Sequence, residues 1–74
     1  MKKSDLVIGK IYQDANGIYR FTYMINDNIA KFEEMVFDND GKLFVIDECI
    51  YKSENNIANL KEKLKWNYKW TTSY

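Results

Sequence analysis

Aromatic side chains recur at every second position from Tyr19 to Tyr23, Ile25 continues the series, and Ile18, Arg20, Thr22 and Met24 fall between them. A period of two sends alternate side chains to opposite faces of a β-strand, so the spacing predicts a strand over 18–25 with Tyr19, Phe21, Tyr23 and Ile25 pointing inward. Asn16-Gly17 stands just before it. Both residues tolerate positive φ, which a two-residue type I′ turn needs at both central positions. The pair therefore predicts a hairpin from a first strand over 6–12 into the second. Two more turn signals, Asp27-Asn28 and Asp38-Asn39-Asp40-Gly41, follow at the rhythm of a meander and predict strands over 29–37 and 42–47. The third strand has the least regular pattern. Its run Ala30 to Met35 contains good helix formers and breaks alternation, which a bulge at Glu33-Glu34 or a short helix would each accommodate; we read it as a strand.

Past Ser53 the period changes. Ser53 is a good N-cap, Glu54 suits the first turn, and Ile57, Leu60 and Leu64 return at helical spacing, which predicts a helix to about Leu64. From Leu64 to Trp70 the alternation is again two, which predicts a final strand burying Leu64, Trp66, Tyr68 and Trp70. A helix over the same residues would instead turn Trp66 and Trp70 outward, one turn apart, as a pair of the kind that anchors protein interfaces. No Pro- or Gly-rich linker or repeat divides the chain, so 1–74 reads as one domain. The fold class is α+β, mainly β: a small antiparallel sheet or partly open barrel, SH3-like or OB-like, of four to five strands with one short C-terminal helix.

Composition narrows the chemistry. With 46% hydrophobic residues, 16% of the chain aromatic, there is enough apolar surface to offset the entropy of ordering 74 residues, so the chain is expected to fold. Cys49 is the sole cysteine and has no partner in the chain, which fits a reducing compartment. The N-terminus lacks the apolar run of an export signal, no stretch of 18 or more apolar residues occurs, and a cytoplasmic location off the membrane is the expectation.

The chain contains no histidine, which removes the commonest general base, the usual partner of a catalytic Ser or Cys, and most transition-metal ligation. Cys49 follows an apolar run and is expected to be a packing residue; its neighbours Asp47 and Glu48 would oppose a thiolate. The pairs Glu33-Glu34, Asp38-Asp40 and Asp47-Glu48 suit a solvated face better than acid–base work, because neighbours on a strand point to opposite faces. Asp38-Asn39-Asp40-Gly41 has the look of a calcium loop, but alignment on Gly41 puts Val36 at the first ligand position and Asp47 at the last, so a hairpin turn is expected. No enzyme activity, metal or cofactor is expected.

Formal charge is zero, with 11 basic against 11 acidic residues, yet the signs are segregated. Residues 1–26 carry four basic against two acidic side chains, a net +2. Residues 27–54 carry three against eight, a net −5, and 55–74 carry four against one, a net +3. Carboxylates on strands can imitate a phosphate row and occupy the basic groove of a nucleic-acid-processing protein, as small inhibitors carried by phages or mobile elements do. The expected function is accordingly a protein-binding module that uses Glu33, Glu34, Asp38 and Asp40, together with Trp66 and Trp70. The alternative is a small nucleic-acid-binding barrel using Lys61, Lys63, Lys65 and Lys69 beside the C-terminal aromatics. Homodimerisation through the C-terminal segment is compatible with either.

Overall fold

The computed structural model describes residues 1–63, and all structural statements concern these. Five antiparallel strands form one open sheet in the order β4-β3-β2-β1-β5. Their ranges are β1 Ile11–Asp14, β2 Gly17–Met24, β3 Ile29–Phe37, β4 Leu43–Ser53 and β5 Lys61–Glu62, with a one-turn α-helix, α1, at Glu54–Ile57 and a 3₁₀ turn at Lys3–Asp5. The mainly β class with one short helix is as the sequence patterns imply, and the sheet is open: β4 and β5 are its two edges.

Ile11 and Met35 are buried on one face of the sheet, while the other face carries the main core cluster. Tyr12, Tyr19, Phe21, Ala30 and Phe32 pack there against Ile57 and Leu60, and Met1, Leu6, Met24 and Ile50 close around them. Ile57 and Leu60 cover the sheet together although α1 ends between them. The N-terminal segment is tied over the same face: the Met1 amine donates to the Ala58 carbonyl at 3.0 Å, the Tyr12 hydroxyl accepts from Val7 N–H at 2.8 Å, and Lys3 pairs with Glu54 at 2.8 Å.

Phase along β2 departs from the simple alternation. Phe21 stands opposite Phe32, but Tyr23 stands opposite Lys31 and Met24 opposite Ala30, because Thr22 is an extra residue in the ladder. Its hydroxyl donates to the Lys31 carbonyl at 2.8 Å. A one-residue bulge exchanges faces. Tyr23 and Ile25 are therefore exposed and Met24 joins the core, which corrects the inward placement of Tyr23 and Ile25.

The turns also differ in detail. Asp14 pairs with Gly17, so the loop is Ala15-Asn16, and among the described residues positive φ occurs only at Gly9 and Gly41. The first hairpin is thus not type I′. The Asp14 carboxylate accepts from Asn16 and Gly17 N–H at 2.8 and 3.1 Å, the pattern of Asp first and Gly fourth that a type I turn favours. Gly9, at φ +86, turns the chain between Val7 and Lys10, so β1 starts at Ile11 and not at Leu6. Asp38-Asn39-Asp40-Gly41 forms the expected hairpin, with Gly41 at φ +79 and the Asp38 carboxylate accepting from Asp40 and Lys42 N–H at 2.8 and 2.9 Å.

β3 is a strand throughout, as read, and the irregularity opposite it lies in β4. Phe32 faces Ile50, Glu34 faces Asp47 and Met35 faces Val45, so β4 accommodates extra residues between 45 and 50 and runs eleven residues to Ser53 instead of stopping at Asp47. Cys49 sits in this bulge, exposed, with its N–H donated to the Asp47 side chain at 2.9 Å; the expected burial of Cys49 is corrected accordingly. The helix is one turn long because the chain pairs with β1 again at Lys61–Glu62. The strand and the Trp66 and Trp70 placement expected beyond Leu64 lie outside the described residues.

Candidate partner surface on the outer strand pair

Two groups of charged side chains stand out, and they differ in what neutralises them. The first is internal. Lys52 leaves β4 on the helix-covered face and its ammonium meets the Asp14 carboxylate at 3.1 Å, with side-chain exposures of 9% and 7%. The same ammonium lies 4.0 Å from the centre of the Tyr19 ring. The Asp14 carboxylate is fully used, one oxygen by Lys52 and the other by the hairpin N–H groups. Burial pushes the Tyr19 hydroxyl above its ordinary value against the pull of Lys52, and the carboxylates of Asp14 and Glu34 add to the rise. A recess of about 320 Å³, edged by Asn16, Asn56 and Asn59, opens onto the pair. This cluster joins the first hairpin to the end of β4 and the start of α1. It escaped the sequence reading because nothing local marks Lys52 or Asp14 as buried; both look like ordinary solvent-facing charges.

The second group lies on β3, β4 and the turn between them, and is exposed except for the half-buried Glu34. From residue 34 to 48 five carboxylates, Glu34, Asp38, Asp40, Asp47 and Glu48, stand against the ammonium of Lys42 alone, a net −4. Among the described residues the ion pairs are Lys3–Glu54, Lys10–Glu62, Arg20–Glu33 and Lys52–Asp14. None of the five carboxylates takes part in one. Asp38 and Asp47 each spend one oxygen on local backbone N–H groups. Asp40, Asp47 and Glu48 are exposed, as is Asp38.

The six residues anticipated as a contact surface are distributed unevenly. Asp38 and Asp40 share the tip of the β3–β4 hairpin. Glu33 and Glu34 point to opposite faces: Glu33 lies across from Arg20, whose guanidinium grips it through Nε at 2.7 Å and through a second nitrogen, whereas Glu34 lies across from Tyr19 on the covered face. Trp66 and Trp70 are outside the described residues. The structure adds Asp47 and Glu48, exposed in the middle of β4, to the carboxylates without an ion pair. Their run with Asp38 and Asp40 was visible as charge, but the bulge that leaves them on an exposed strand was not.

Apolar side chains accompany the acids. On β4 Phe44, Ile46 and Tyr51 are 46%, 51% and 56% exposed. Tyr51 belongs to a row across three strands on the face without a helix: it stands opposite Lys31, which stands opposite Tyr23, and the Lys31 ammonium lies 5.4 Å from the Tyr23 ring centre. Half-exposed aromatic and aliphatic groups beside charges are the composition of protein interfaces. Among the described residues no helix is long and apolar enough to cross a membrane, and no three Cys, Asp or Glu side chains gather as a metal-holding group. Compared with family models, with curated proteins and with solved structures, the chain matches none.

Proposed function

We propose that this chain is a non-enzymatic, cytoplasmic protein-binding module, an inhibitor of the kind phages and mobile elements carry, whose acidic outer strand pair occupies the basic groove of a nucleic-acid-processing protein. The observation that carries this is the contrast in neutralisation. Glu33, Glu54 and Glu62 each have a cation at hand, whereas within the described residues Glu34, Asp38, Asp40, Asp47 and Glu48 have none and fall in one short stretch of the chain; the other carboxylates without an ion pair, Asp5 and Asp27, stand apart in sequence. Unpaired like charges raise the self-repulsion of a folded domain, and a cationic partner relieves it. Complementary charge of this kind chiefly speeds encounter and rejects wrong partners, while neighbouring apolar groups hold the complex. Phe44, Ile46 and Tyr51 supply those groups. Because Arg20 already engages Glu33 and Glu34 lies half-buried on the covered face, the proposed contact centres on Asp38, Asp40, Asp47 and Glu48.

Nuclease-treated host lysate passed over the immobilised chain provides the test. Wild-type protein is expected to retain a basic protein partner that leaves as salt is raised. The combined variant Asp38→Lys, Asp40→Lys, Asp47→Lys, Glu48→Lys is expected to retain at least about tenfold less, since like charges set against each other across an interface cost several kcal/mol. Equal retention by the variant refutes the proposal.

A further inference from the structure

The sheet has two edges of very different character. β5 is two residues long and is the edge a short strand protects. β4 is eleven residues long, and among the described residues it pairs only with β3, so its outer side presents unpaired backbone N–H and C=O groups. Proteins guard such edges with short strands, proline, lysine or bulges. β4 has neither proline nor an outward lysine: its one lysine, Lys52, is buried against Asp14. The bulge between 45 and 50 guards the middle alone. There the Cys49 N–H is already taken by the Asp47 side chain, and what the middle offers a neighbour is the carboxylates of Asp47 and Glu48. On either side, Leu43–Val45 and Ile50–Ser53 keep regular strand pairing with β3 and an open outer side.

On this basis, and resting on the protein-binding function proposed above, we infer that the partner docks by adding an extended strand to the outer edge of β4. The added segment is basic at its centre, where it meets Asp47 and Glu48, and apolar on its flanks, where it meets Phe44, Ile46 and Tyr51. Strand addition draws its affinity from main-chain hydrogen bonds and its selectivity from the alternating side chains beside them. Charge also disfavours a second copy of this chain as the occupant. Antiparallel pairing of two β4 strands about their middle would set Asp47 and Glu48 of one copy against the same pair of the other, and like charges directly opposite are destabilising.

A random twelve-residue peptide library selected against the full chain tests this without presuming a sequence. Recovered peptides are expected to carry Lys or Arg in their central third with β-branched or aromatic flanks. A synthetic copy of a recovered peptide is expected to slow exchange of the outward amides in Leu43–Val45 and Ile50–Ser53 at least tenfold. The same peptide N-methylated at alternate backbone nitrogens is expected to lose that protection. Strand addition is overturned if no peptide is recovered, if the recovered peptides lack the basic centre, or if they protect another surface. It is equally overturned if those amides are already protected in the free chain, whether by its own C-terminal residues or, in a species that sediments as a dimer, by a second copy. Should the lysate partner depend on Asp38, Asp40, Asp47 and Glu48 while the β4 amides stay unprotected in its complex, strand addition fails and the acidic-surface proposal stands; loss of that dependence removes the proposal itself.

Discussion

Lys52→Ala is expected to cost about 3–5 kcal/mol and to leave much of the protein unfolded at 37 °C, although the change removes only one lysine from a chain that has ten. The reason is what remains behind. Asp14 is 7% exposed in its side chain, and without the ammonium 3.1 Å away its carboxylate is buried with no counter-ion. A domain of this size has a total stability of about 4–11 kcal/mol at the usual value per residue, so the loss is a large share of the whole. The Tyr19 ring loses its cation at the same time. Removing both charges is milder than removing one. The double variant Lys52→Met, Asp14→Asn keeps an oxygen acceptor for the N–H groups of Asn16 and Gly17 and is expected to recover at least half of the lost stability. Urea unfolding of the three proteins decides the matter, and a Lys52→Ala loss below about 1 kcal/mol would mean that the pair is effectively solvated.

Phe32→Ala is expected to be as damaging for a different reason. Phe32 is fully buried on β3, an inner strand paired on both sides, with the Phe21 ring 5.5 Å away at 56° and the Tyr19 ring 6.2 Å away edge-on. Truncating a buried Phe costs about 3–5 kcal/mol through lost transfer energy and the cavity left behind. Ala30 beside it offers no bulk to fill the space. Circular dichroism on heating is expected to show a transition lowered by well over 10 °C, since each kcal/mol shifts the midpoint of a domain this small by about 4–8 °C. Phe44→Ala provides the contrast: its side chain is half exposed, so a change within about 0.5 kcal/mol is expected in stability and a larger one in partner retention. A destabilisation by Phe44→Ala comparable to that of Phe32→Ala would place the outer strand in the core.

The parts of the fold that were legible in the chain are those set by local pattern. Asp38-Asn39-Asp40-Gly41 marks its hairpin because a carboxylate that caps its own turn and a glycine at positive φ are both local requirements. Strand β3 was bounded correctly by the turns on either side of it. What local pattern could not convey is phase across a bulge. Thr22 shifts β2 by one residue and exchanges Tyr23 for Met24 in the core, and the alternation of Tyr19, Phe21 and Tyr23 holds no sign of it. The bulge in β4 acts likewise on Cys49, which its apolar neighbours implied to be buried. Helical spacing at Ile57 and Leu60 was a true signal of burial but a false one of length, since both side chains reach the core while the chain turns back to pair with β1.

For the candidate surface the legible part was charge and the hidden part was neighbourhood. Sequence groups Glu33 with Glu34, but a strand separates them to opposite faces and gives Glu33 to Arg20. Tertiary pairing also conceals Lys52 and Asp14, 38 residues apart, from any reading by spacing. What remains is a run of exposed carboxylates along one hairpin turn and the bulged middle of the strand that follows it.

Zero-length carbodiimide cross-linking of the captured complex, followed by peptide mass spectrometry, tests that surface most directly, because it joins a carboxylate only to a lysine in contact with it. Cross-links from Asp38, Asp40, Asp47 or Glu48 to lysines of the partner are the predicted result. Cross-links to the partner confined to carboxylates elsewhere, such as Asp5, Asp27 or Glu62, would contradict the account.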